Sequence, residues 1–132
     1  MEPTFMSFLA IVLAVKILVT AVFMAIPFLT FPAKRLAERI GVTGGGGVFF
    51  RLYGVALTAL LAGYGSAFPL LAKQEFPWGV VVMGIISNGG AAAILLGAGA
   101  RRKTAPVALF LLAITAALIA AAINPAWAIG TL

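Results

Sequence analysis

The sequence predicts an all-α integral membrane protein, a bundle of four transmembrane helices with a short amphipathic interfacial helix after the first span. Two observations carry this. The chain has 132 residues, of which 64% are hydrophobic and only 9% charged. A water-soluble domain of this size would carry roughly a quarter charged residues. In addition, its apolar residues fall into four stretches, Phe5 to Leu29, Val48 to Phe68, Trp78 to Ala98 and Pro106 to Ile123. Each is close to the ~20 residues that cross a hydrocarbon core as a helix. Backbone groups in lipid must bond internally, and no alternating pattern suggests a barrel. The whole chain, 1–132, is therefore read as a single transmembrane domain, with helices at about 5–31, 48–68, 78–99 and 105–124.

The first stretch lacks the basic start of a signal peptide, having Glu2 instead, and its apolar run is too long for one. It reads as a retained helix. Pro27 removes one backbone bond from it and is expected to kink it near Phe23. Pro32 ends it. "PAKRLAERIGV", residues 32–42, then reads as a surface helix, with Leu36 and Ile40 one turn apart and Lys34, Arg35, Glu38 and Arg39 around them. Glu38 is in position to pair with Lys34 or Arg35 as local helix support. The glycine run Gly44–Gly47 lacks the lysine–serine or lysine–threonine pair of a phosphate-binding loop and reads as a hinge. After the second helix, Pro69 and Pro77 bound a segment with room for one interfacial turn. Thr104 is a cap for the last helix, with Pro106 in its first turn, and Asn124–Pro125 ends it.

Charge placement predicts orientation. Lys34, Arg35, Arg39 and Arg51 cluster at the first loop, and Arg101, Arg102 and Lys103 at the third. The second loop has Lys73, offset by Glu75. The positive-inside rule then turns the first and third loops to the cytoplasm and both termini outward, which leaves Trp78 and Trp127 at the outer interface. These basic residues hug helix ends, so anionic lipid headgroups are the expected partner and nucleic acid is not. Tyr53 and Tyr64 are expected at the two interfaces, the first near Arg51.

The absences are informative. The chain has no cysteine and no histidine. Disulfides, thiolate metal sites and histidine-ligated haem are thereby excluded, and no metal site and no catalytic residue is assigned.

Lys16 is the anomaly. It lies about 16 Å into its helix at 1.5 Å per residue, near the middle of a ~30 Å core. The acids Glu2, Glu38 and Glu75 all lie outside the spans. Centring each helix in the bilayer brings Thr58 and Asn88 to the lysine's depth, with Thr20, Ser87 and Thr115 within a turn. Three readings stand open: Lys16 snorkels to a headgroup, it anchors the bundle through Asn88, or it lines a polar pocket for an anionic or carbonyl-bearing ligand. On the last reading the ligand-binding residues are Lys16, Thr20, Thr58, Ser87, Asn88 and Thr115.

Small residues recur four apart in the later helices: Gly54, Thr58 and Ala62; Gly89, Ala93 and Gly97; Ala113, Ala117 and Ala121. Such spacing allows close helix approach, within the bundle or against another membrane protein or a second copy.

"LAVKILVTAVFMAIP", "LAERIGV" and "RLYGVALTALLAGYG" together resemble the DoxX-like class of small four-helix bacterial membrane proteins. The resemblance implies a bacterial inner-membrane location and an accessory subunit that stabilises a larger membrane assembly, with links in that class to quinone or thiosulfate chemistry. The leading expectation is therefore a non-catalytic accessory subunit. The alternatives are a binder of a quinone or other lipid-soluble ligand around Lys16 and Asn88, and a small exporter. Small multidrug exporters use a membrane glutamate for cation–proton exchange, and the spans contain none.

Overall fold

The computed structural model describes residues 7–40, 47–97 and 104–130. Its elements are all helical. Four segments are long and apolar enough to cross a membrane: Phe8–Thr30, Phe50–Ala72, Trp78–Gly97 and Ala105–Ile123. They pack as an antiparallel bundle, and large apolar side chains such as Leu18, Phe23, Val55, Ile86 and Ile94 face outward. That inside-out distribution is what a lipid solvent allows.

The first span is not one α-helix. Helix α1 (Phe8–Thr20) is capped by Ser7, whose Oγ accepts from the Ala10 amide at 3.1 Å. A π-turn, Ala21–Ala25, follows, in which the Ile26 amide reaches back five residues to the Ala21 carbonyl. Helix α2 (Ile26–Thr30) completes the span and holds Pro27 in its first turn. The expected distortion around Phe23 thus takes the form of a wider turn, which relieves the clash between a proline ring and the carbonyl four residues earlier.

Pro32 leaves a second mark. Having no N–H, it cannot bond the Phe28 carbonyl four residues back. Arg51 does so instead, its Nη1 donating to that oxygen at 2.8 Å. The Phe28 ring meets Phe50 edge-on at 5.7 Å and Tyr53 at 5.3 Å. The amphipathic helix α3 (Ala33–Ile40) closes this end. It inserts Leu36, fully buried, into the Phe28–Phe50–Leu57 cluster and leaves Lys34, Arg35 and Glu38 exposed. Burial of that leucine contributes about 2 kcal/mol. The side chain of Arg39 and residues 41–46, which hold most of the predicted hinge, lie outside the described residues, as do Arg101, Arg102 and Lys103.

The second span runs further than the sequence suggested. Helix α4 (Gly47–Gly65) passes a turn at Ser66 into α5 (Ala67–Ala72). Helix α5 ends in a Schellman motif: the Gln74 amide bonds the Leu71 carbonyl at 3.0 Å and the Glu75 amide bonds Leu70 at 2.9 Å. This puts Gln74 at φ 60, a conformation that favours glycine. Gln74→Gly is expected to stabilise the fold by about 1 kcal/mol, read as a higher midpoint in thermal unfolding; an unchanged or lower midpoint would contradict this account of the turn.

Helices α6 (Trp78–Gly97) and α7 (Ala105–Ile123) form the most extensive pair in the bundle. Gly89 makes part of this seam, since a Cβ there would lie 3.3 Å from the Thr115 methyl. Helix α7 ends at Asn124–Pro125 as expected, and the chain then turns back onto the bundle. Asn124 Oδ1 accepts from the Trp127 amide at 3.3 Å and starts α8 (Pro125–Ile129). The Trp127 ring then lies on Phe8 at 4.7 Å, tying the last helix to the start of the first. Around the bundle the order is α6, α7, α1, α4, and α4 and α6 touch far less than the other adjoining spans.

Candidate functional site

The slight contact between α4 and α6 leaves room inside the bundle. A cavity of about 40 Å³ lies there. Its polar lining is Lys16 and Thr20 from α1, Tyr53 and Tyr64 from α4, and Ser87 and Asn88 from α6. Its apolar lining includes Met24, Leu57, Leu60, Ala91 and Leu111.

Lys16 is 6% exposed, so its side chain lies inside the bundle rather than along its outer face. It follows Leu9 and Leu13 at helical spacing on the inward stripe of α1, and Thr20 comes one turn later. The Lys16 ammonium stands over the Phe110 ring, 5.6 Å from its centroid. The ring's negative face attracts the cation, yet offers no hydrogen-bond acceptor of the strength that water would.

Asn88, 1% exposed, is held by both protons of its amide. Nδ2 donates to the Gly84 carbonyl at 2.7 Å and to Tyr64 Oη at 2.8 Å. A carbonyl can only accept, so the bond to Gly84 fixes which end of the amide is nitrogen. Tyr64 Oη and Ser87 Oγ are 3.1 Å apart, and Ser87 Oγ is 3.4 Å from the Gly84 carbonyl. With Tyr64 accepting from Asn88, the consistent direction has Tyr64 donating to Ser87 and Ser87 to Gly84. The network is closed on one side. On the other, Asn88 Oδ1 is buried with no hydrogen-bond partner among the described residues.

Thr20 is the second orphan. It is 2% exposed, and its Oγ1 has no partner either. Threonines in helices commonly bond the carbonyl four residues back. Thr30, Thr58 and Thr115 do so here, to Ile26, Gly54 and Leu111 at 2.8, 2.9 and 2.7 Å. Thr20, last residue before the π-turn, does not. Two buried oxygens and an ammonium thus line one small cavity. A cavity needs only about 10–15 Å³ to hold a water, so this one has room for a few waters or one polar group of a larger molecule.

Of the residues assigned to a midplane pocket, Lys16, Thr20, Ser87 and Asn88 line the cavity. Thr58 and Thr115 do not. Thr58 has the right depth and the wrong face, being exposed on the outside of α4. Thr115 is taken up in the α6–α7 seam and bonds Leu111. Tyr64 was expected at an interface and is instead 1% exposed at the heart of the network. The continuation of the second span to Ala72, four residues past the expected end at Phe68, moves it inward by about 6 Å at 1.5 Å per residue. Tyr53 does reach the outer surface, but its ring meets Phe28, while Arg51 serves the Phe28 carbonyl.

Comparison of the chain with protein-family models, curated proteins and solved structures finds no match. The functional reading therefore stands on the site.

Proposed function

We propose that the protein binds the polar end of a lipid-soluble molecule in the cavity between its spans. The observation that supports this is a pair of buried oxygens without partners, Thr20 Oγ1 and Asn88 Oδ1, on one cavity that the cationic Lys16 also lines. Leaving such groups buried and unpaired costs about 1–3 kcal/mol each, more for a charge. A structural network closes on itself, as Asn88–Tyr64–Ser87 does. The open side is what a binding site looks like before its ligand arrives. The cavity volume of about 40 Å³ admits a single functional group and leaves the ligand's apolar remainder among the helices and lipid. The test is native mass spectrometry of protein purified in mild detergent. Wild type should retain an adduct, and Ala91→Phe, which fills the cavity, should lose it. Equal spectra would remove this reading.

A second reading, the accessory subunit, draws on the outward faces of the last two spans. Ala93, Gly97 and Ala113 are exposed, and a Cβ at Gly97 would meet nothing within 4 Å. Ala121 is consumed in the core, so only part of each small-residue stripe is free for another membrane protein or a second copy. Ala93→Leu is expected to reduce the particle size in nanodiscs without lowering thermal stability. An unchanged size would leave these faces to lipid.

The orientation we assign has both termini outside and α3 on the cytoplasmic side of what the DoxX-like resemblance makes a bacterial inner membrane. Lys34, Arg35, Arg39, Arg51, Arg101, Arg102 and Lys103 then meet anionic headgroups, each contributing about 1 kcal/mol. Reporter fusions at Leu132 test this, and cytoplasmic activity there would reverse it.

A further inference from the structure

We propose that the group received by the cavity is a carboxylate carried on a long acyl chain. The inference rests on the ligand-binding reading above and adds the chemical class of the ligand.

Charge is the first argument. Lys16 is buried, and the sequence supplies no acidic side chain within any span, since Glu2, Glu38 and Glu75 all lie outside them. The Phe110 ring is a partial substitute for a counter-ion. A ligand that carries the missing negative charge completes the site; an alcohol, ester or ketone leaves the cation unpaired in lipid.

Hydrogen-bond accounting agrees. An ammonium has three donors and a hydroxyl one, whereas a carboxylate offers only acceptors. One carboxylate oxygen takes an N–H of Lys16. The other takes the Thr20 hydroxyl, which is buried and unpaired. Asn88 Oδ1, the remaining unpaired acceptor on the same cavity, is left to a water, for which the cavity has room. Each orphan is then met, and no acceptor faces another acceptor. A ligand head with acceptors alone, and two of them, suffices.

Size and lining restrict the rest. A cavity of about 40 Å³ suits a planar carboxylate and is too small for an aromatic ring or a glycerophosphate head. Beyond the polar groups lie Met24, Leu57, Leu60, Ala91 and Leu111, and α4 and α6 are the least tightly joined of the adjoining spans. An unbranched chain suits such a lining, in which the half-exposed Tyr53 is the further polar group among the described residues.

The experiment offers palmitate, hexadecanol and methyl palmitate separately to the protein in nanodiscs of zwitterionic lipid, and counts bound chains by native mass spectrometry. Wild type is expected to bind palmitate about tenfold more tightly than either neutral probe, as charge-assisted hydrogen bonds are roughly twice as strong as neutral ones. Lys16→Gln, which keeps polarity at one bond less of reach and removes the charge, should erase that preference. If the neutral probes bind wild type as well as palmitate does, and Ala91→Phe abolishes all three, the cavity is a ligand site and the carboxylate is wrong. If neither Ala91→Phe nor the milder Ala91→Leu changes binding of any probe, the cavity reading falls and takes the carboxylate with it.

Discussion

Replacing Lys16 by methionine is expected to make the protein more stable and to empty its site. A lysine at the centre of a membrane helix costs about 2.5–3.5 kcal/mol to insert. Methionine has nearly the same length, carries no charge and adapts to irregular space. The loss of the contact with Phe110 offsets about 0.5–1 kcal/mol of the gain. The net expectation is a stabilisation of about 2 kcal/mol, together with loss of the co-purifying adduct. Unfolding in graded denaturing detergent and native mass spectrometry on the same sample measure the two effects together. A residue retained at a cost to stability is the signature of a functional group. Destabilisation would mean that Lys16 anchors the bundle instead, and a retained adduct would mean that the ligand lies elsewhere.

Gly84→Leu is expected to destabilise the fold by about 3 kcal/mol, the upper part of the usual range for overpacking. A Cβ at this position would lie 2.5 Å from Leu118 Cδ1 and 3.3 Å from Tyr64 Cε1. Leu118 is fully enclosed, and Tyr64 can retreat only into the small cavity that it lines. The larger side chain pushes Tyr64 off the Asn88 amide, which adds a lost buried hydrogen bond to the steric cost. Thermal unfolding in detergent gives the size of the effect. Gly84→Ala should fall between the two, because its methyl meets only the flexible end of Leu118 at the closest point. Equal stability for all three proteins would show that the α6 seam yields more than its close contacts imply.

How much of this was legible depended on whether a residue broke the apolar background. Span positions followed from length and hydropathy, and the common depth of Lys16 and Asn88, which line one cavity, followed from counting along two helices. Leu36 stood out because the charges around it gave α3 a marked apolar side. Which side of the later spans faces inward did not follow. In α7 apolar residues occur on every face, so no period distinguishes Leu118, fully buried, from Leu109, exposed. The same lack of contrast hid the outward direction of Thr58. Tyr64 was misplaced for another reason: a tyrosine near the end of an apolar run looks interfacial, and the span was ended at Phe68, before Pro69, although the chain continues through the turn at Ser66 as far as Ala72. Thr20 was placed by its spacing from Lys16, but its free hydroxyl could only be seen once the other threonines were found bonded.

The π-turn has a consequence for rotational phase. The inward residues of the first span step by four, three and four from Leu9 through Leu13 and Lys16 to Thr20, then by five to Ala25 and by three to Phe28. In an unbroken helix of 3.6 residues per turn, Thr20 and Phe28 would stand about 80° apart. The wider turn absorbs that angle. One half of the span can therefore present an ammonium and a hydroxyl to the cavity while the other half presents an aromatic ring to the same interior. Closing the π-turn into ordinary α-helix with every residue kept would swing Phe28, Arg51's acceptor and the seat of Leu36 away from the bundle by about 80° together, whereas deleting one residue from Ala21–Ala25 would leave Thr20 and Phe28 seven residues apart and nearly in phase. The extra residue acts as a clutch between two rotational settings, and the polar half of the helix owes its freedom to be polar to it.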